Sequence, residues 1–217
     1  MTYGDIAIRA TADSLEIFGA FHPVEQDKLP HGTETLILLG PGEPGFWAHF
    51  QSSPEAMDGA PDPLDRWSDR VISAIAIDMQ GCAVFPFGGP PFQPFISWAM
   101  RSERAWQSPA GPLVHDRAGM MVSYRGALAL PYRVDLPEPS QNPCKTCETK
   151  PCLTVCPVKA LGGSAGYDVA TCHGYLDTPP GAECMSMGCI ARRACPVSQR
   201  YGRLPEQSAF HMRSFHT

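Results

Sequence analysis

The chain has 217 residues, a formal net charge of −5, and 43% hydrophobic against 18% charged residues. That balance supports a packed core and excludes wholesale disorder. It also argues against a nucleic-acid partner, because no bulk positive field exists to collect phosphates.

The 23 prolines, about twice the ordinary usage of roughly 5%, predict short elements joined by many loops. Apolar stretches such as 72–77 fall far short of the ~18 residues of a membrane helix. The opening Met1-Thr-Tyr-Gly-Asp-Ile has neither the basic nor the apolar region of a secretory signal. A cytoplasmic protein with reduced thiols and no membrane partner is expected.

In chain order, Leu15–Phe18 and Thr35–Leu39 are predicted strands, the second closed by Gly40-Pro-Gly. Asp62 as N-cap and Pro63 at the first position open a helix running to about Met79. Its buried face is expected to carry Leu64, Trp67, Val71, Ala74 and Ile75. Cys82–Phe85 reads as a short strand, and Phe92–Ala105 as a helix with Phe95, Trp98 and Ala99 on one side. Met120–Leu130 leans to strand, with Val122 and Tyr124 alternating and Gly126 as a bulge. Residues 136–143 hold three prolines and read as a linker. Residues 196–217 read as a polar tail with His211 and His216 solvated. The expected fold class is α+β: an α/β-like layered domain over 1–140, for ligand binding or docking, then a small C-terminal ferredoxin-like domain over 141–217.

Cysteine carries most of the information. Eight of nine lie between Cys144 and Cys195, and only Cys82 lies outside. Cys144, Cys147, Cys152 and Cys156 are spaced Cys-x2-Cys-x4-Cys-x3-Cys-Pro, two residues longer in the middle gap than the bacterial ferredoxin run. Cys172 follows, then Cys184, Cys189 and Cys195, again ending in Cys-Pro-Val. A cubane iron–sulfur cluster needs four converging thiolates, with backbone N–H groups aimed at its sulfurs. In two-cluster ferredoxins the fourth cysteine of each run ligates the other cluster. By that rule Cys144, Cys147, Cys152 and Cys195 hold one [4Fe-4S] cluster and Cys156, Cys172, Cys184 and Cys189 hold the second. Structural zinc, disulfides, or one cluster with spare thiols are the competing readings.

Over residues 142–198 this pattern resembles the ferredoxin module of epoxyqueuosine reductases and related cobalamin-dependent reductases, including reductive dehalogenases. In these a Cys-Pro run is followed by a separate cysteine before an aromatic-Leu segment, here Cys172-His-Gly-Tyr-Leu176. The stretch from Ser108 to Leu128 is similar to the one preceding that module. The resemblance implies a nitroreductase-like N-terminal domain and a bound corrinoid, cobalamin. The chain is much shorter than a full epoxyqueuosine reductase and has no repeat region for a tRNA. No residue takes the place of that reductase's catalytic acid.

Candidate ligand-binding residues are Gly88, Gly89 and Phe92, in a Phe/Pro/Gly segment that could line an apolar pocket or plug into the core. His115 reads as an axial ligand, a proton donor or a surface-loop residue. Tyr124 and Arg125 would meet an anionic group or form a structural strand pair. Cys82 reads as a small buried hydrophobe. His173, beside Cys172, would influence the second cluster. Lys145, Lys150, Lys159, Arg192 and Arg193 surround the cysteines in sequence and would raise cluster potentials, dock an acidic electron donor such as a flavodoxin or ferredoxin, or form a solvated charged face. The expected function is an iron–sulfur redox protein delivering single electrons to a small molecule or corrinoid held by the N-terminal domain. The alternatives are an electron carrier without an active site and a zinc-stabilised interaction module.

Overall fold

A computed structural model of the protein describes residues 1–163 and 166–216. In chain order they form α1 (Tyr3–Thr11), β1 (Leu15–Phe21), β2 (Thr35–Pro41), α2 (Phe46–Gln51), α3 (Pro54–Met57), α4 (Pro63–Asp78), β3 (Cys82–Val84), α5 (Phe95–Arg101), β4 (Ala105–Gln107), β5 (Leu113–His115), β6 (Gly126–Leu130), α6 (Val169–Leu176), α7 (Ala182–Met187), α8 (Ile190–Ala194), α9 (Pro196–Tyr201) and α10 (Pro205–Phe215). The fold class is α+β. The chain divides into two units, Met1–Arg104 with Ser123–Ser140, and Ala105–Val122 with Gln141–Thr217. The second unit thus includes 105–122, which the sequence reading puts in the first.

The first unit is built on an antiparallel sheet in the order β1-β2-β6-β3. The Leu36–Leu39 run has no polar residue, and all of β2 and β6 is buried. α4 packs on β3 and β6, while α1 and α5 pack on β1. α4 buries Leu64, Trp67, Val71, Ile72 and Ile75, each large side chain contributing roughly 1.5–3 kcal/mol. Trp67 meets Phe46 edge-on at 5.3 Å.

Several expectations change here. Ala74 is exposed, and Ile72 and Ala76 are buried instead, because the helix turns its stripe toward two strands at once. Asp62 stands at the N-cap, but its side chain makes no capping hydrogen bond. α5 is confined to Phe95–Arg101. Pro94 disfavours helix at Gln93, and Glu103, at φ 53, lies just beyond the other end. Gly126 is no bulge: it pairs in register with Leu39, and a Cβ there would lie 2.8 Å from Ile72 Cδ1. The sheet's irregularity falls instead in β1, between Ile17 and Gly19. Residues 120–125 are not strand. Cys82 is exposed, not buried: it opens β3, the edge strand of the sheet, and burial begins only at Val84.

In the second unit β4 and β5 form a hairpin, extended by a bridge between His115 and Gly119. A small core gathers Ala110, Val114, Met120, Leu161 and Ala191 around Cys152 and Cys195. The polar tail is helical: α9 and α10 bury Ser198, Tyr201, Gln207, Ser208 and Ala209. No described helix is long and apolar enough to cross a membrane.

Candidate metal centre

Prolines and caps in the second unit set the backbone that carries the sulfur atoms. Asn142 accepts the Cys144 N–H at 2.9 Å and starts a 3-10 turn over Pro143–Lys145. Lys150, at φ 39, leads into a second such turn, Pro151–Leu153, which holds Cys152. Cys172 rides on α6, capped by Asp168, which accepts the Thr171 N–H at 2.9 Å. Cys184 lies in α7, and Gly188 at φ 86 turns the chain from that helix to Cys189. Cys195 stands between α8 and α9, and Pro196 opens α9. Pro157 opens no helix.

Placed this way, the eight thiols fall into two groups. Cys144, Cys147, Cys152 and Cys195 line a cavity of about 470 Å³. Cys156, Cys172, Cys184 and Cys189 line another of about 310 Å³. These are the two sets that the ferredoxin rule pairs. All nine cysteines of the chain are free thiols. Among the described residues, no three His, Cys, Asp or Glu side chains close on one point as the ligands of a single ion would. A cubane asks for a different arrangement, four sulfurs at the corners of a cage.

The electrostatics of each group follow from crowding. Burial pushes the Cys144 thiol up, and Cys195, Cys152 and Cys147 push it further. Cys152 is raised by burial and then by Cys195 and Cys147, against backbone hydrogen bonds that include one from Ala110. In the second cavity burial raises Cys172; Tyr167 lowers it by hydrogen bonding, and Cys189 and Cys156 raise it. Burial raises Cys184, opposed by a backbone hydrogen bond from Ile190. Four thiolates repel one another in either cavity, so a cationic core that takes all four sulfurs fits the donor set.

The surrounding cations differ in kind. Lys145 and Lys150 are exposed on the loop at the first cavity, which Lys150, Arg200 and Glu148 help to line. Arg193 donates to the Gly188 carbonyl at 3.0 Å and pairs with Glu183 at 2.5 Å. Arg192 lines the second cavity, its guanidinium donating to the carbonyls of Met120 (2.5 Å) and Val122 (3.1 Å). Burial lowers its pKa, and Cys189 and Tyr167 oppose that. Arg203, on the same wall, donates to the Met121 carbonyl at 2.6 Å. These three carbonyls belong to the first residues of the stretch expected as strand, which explains why residues 120–122 pair with no strand although β6 follows.

His173 Nδ1 lies 2.9 Å from His216 Nδ1, and His216 Nε2 lies 2.9 Å from Asp177. His216 is therefore held, not solvated. His211 lines the second cavity. His115 is fully buried, not on a surface loop: its Nδ1 accepts the N–H groups of Arg117 and Ala118, both at 3.2 Å.

The remaining candidates lie in the first unit. Phe92 is 66% exposed, and Gly88 is exposed while Gly89 is half-buried. Phe85 and Phe87 stack on each other at 5.0 Å. Tyr124 is buried against Phe18 and Phe95. Arg125 pairs with Asp65 at 3.4 Å. A cavity of about 520 Å³ in this unit is lined by Arg101, Arg104, Arg133 and His22 among others, and by none of Gly88, Gly89, Phe92, Tyr124 or Arg125.

Tyr167 and Arg203, which line the second cavity, and Ser198, which accepts the Met120 N–H, are residues that sequence reading missed. Ser198 follows a Cys-Pro pair, the only local hint among the three. Compared with family models, curated proteins and solved structures, the chain matches none.

Proposed function

We propose that the second unit holds two [4Fe-4S] clusters and that the protein is a redox protein delivering single electrons. Cys144, Cys147, Cys152 and Cys195 hold one cluster; Cys156, Cys172, Cys184 and Cys189 hold the other. The observation that carries this reading is the partition of eight free thiols into two cavities of four. The clusters supply one-electron chemistry when bound. The chain supplies the thiolates, the N–H groups of Ala110 and Ile190 toward two of them, and the apolar walls that limit water.

The first unit, which we read as nitroreductase-like, holds the electron acceptor. A corrinoid is the acceptor that the resemblance to cobalamin-dependent reductases favours. Exposed Lys145 and Lys150, beside the first cavity, suit an acidic flavodoxin- or ferredoxin-type donor. Anaerobic purification with iron and sulfide analysis tests the core of the proposal, with roughly eight of each expected per chain. Zinc without sulfide overturns it. Mixing the loaded protein with cobalamin tests the acceptor: a corrinoid absorbance shift is expected, and no shift and no binding leave an electron carrier without a corrinoid site.

A further inference from the structure

Resting on the two-cluster reading, we propose that Arg192 and Tyr167 are positioning residues that raise the potential of the cluster on Cys156, Cys172, Cys184 and Cys189, and leave the other cluster untouched. Both line the second cavity and neither lines the first. Arg192 is held there by its bonds to the Met120 and Val122 carbonyls, and its charge acts on Cys189. Both partners are carbonyls and not carboxylates, so these bonds hold the guanidinium without forming an ion pair. Tyr167 lines the same cavity as Cys172 and its ring stacks on Phe215 at 6.2 Å; its hydroxyl is the proposed donor to the Cys172 sulfur.

The sign follows from the charges. Reduction adds one electron to a cage that four thiolates already make anionic. A fixed cation and an O–H···S hydrogen bond both favour the more negative state, so each raises the potential. The apolar wall of the same cavity, including Met121, Leu161, Leu176 and Met212, acts the other way by desolvating that charge. Arg192 and Tyr167 thus offset the burial that would otherwise make this cluster the harder to reduce. At the first cavity Lys150 is exposed and Glu148 stands beside it, so solvent and the carboxylate weaken any such effect.

The test is a potentiometric titration of the full chain with dithionite as reductant, followed by electron paramagnetic resonance. Cys147→Ser assigns the midpoint that belongs to the first site. Tyr167→Phe keeps the ring on Phe215 and removes only the hydroxyl. Arg192→Gln removes the charge and keeps an N–H donor for a carbonyl. Both variants are expected to keep the wild-type iron and sulfide content. At the wild-type second-site midpoint, the reduced-to-oxidised ratio should fall about threefold in Tyr167→Phe and about tenfold in Arg192→Gln, the latter ~59 mV for a one-electron couple. The first-site midpoint should stay in place. An unmoved or raised second midpoint overturns the assignment for the residue concerned. Equal movement of both midpoints, or loss of the second cluster in both variants, overturns it for the pair. Wild-type protein that holds no iron and sulfide would instead sink the two-cluster reading itself.

Discussion

Gly119 and Ser198 approach so closely that a Cβ on Gly119 would lie 2.4 Å from the Ser198 backbone nitrogen. The next amide, that of Met120, donates to the Ser198 Oγ at 2.9 Å. This contact ties the hairpin of β4 and β5 to the first turn of α9, three residues after Cys195. Gly119 also sits at φ 57, where a side chain is strained. Gly119→Ala is therefore expected to cost about 2 kcal/mol or more and to weaken iron retention at the first site. Chemical denaturation and iron counting check this; wild-type stability in the variant would show that the backbone shifts freely.

The partition of thiols predicts a crossed pattern of cysteine variants. Cys195→Ser and Cys144→Ser should disturb one paramagnetic signal, and Cys156→Ser and Cys172→Ser the other. If Cys156→Ser instead disturbed the signal affected by Cys144→Ser, ligation would follow sequence order and the exchange of fourth cysteines would be wrong.

Glu55 couples stability to acid. Its hydrogen bonds with Arg70, at 2.5 and 2.9 Å, hold the carboxyl at about 2, below its ordinary 4.5. A depressed carboxyl stabilises the fold above its unfolded value and loses that contribution as pH falls toward the folded value. The window is therefore roughly pH 5 down to 2. Arg70 is half exposed, so the pair contributes on the order of 1 kcal/mol. Glu55→Gln should lower stability at neutral pH by that amount and flatten its fall with acid, as read from urea unfolding across the window.

Donor docking at the first cavity should depend on salt. Reversing Lys145 and Lys150 to glutamate is expected to slow reduction by an acidic donor protein on the order of tenfold at low salt, with the difference shrinking as salt rises. Stopped-flow reduction gives the rates. Equal rates in variant and wild type would place docking elsewhere.

The sequence alone determined whatever rests on local chemistry. The apolar Leu36–Leu39 run, the Asp62-Pro63 helix start and the proline-rich break before the cysteines are legible because periodicity and turn preference act over a few residues. The spacing of Cys144, Cys147, Cys152 and Cys156 is legible for the same reason: converging thiolates need short loops.

Tertiary packing decided the rest, because burial and pairing depend on what arrives from far along the chain. Cys82 is exposed at the start of β3, the edge strand, while Val84 at its end is buried. His115 is fully buried, with its Nδ1 accepting the amides of the turn that follows it, a burial that a lone histidine in a sequence does not announce. Residues 120–122 pair with no strand because Arg192, Ser198 and Arg203 take their backbone groups from about 70 to 80 positions away. The tail is ordered by His216 on His173 and Asp177, and by Phe215 on Tyr167. The partners of residues 120–122 and of the tail are far away in sequence, so no local pattern records them.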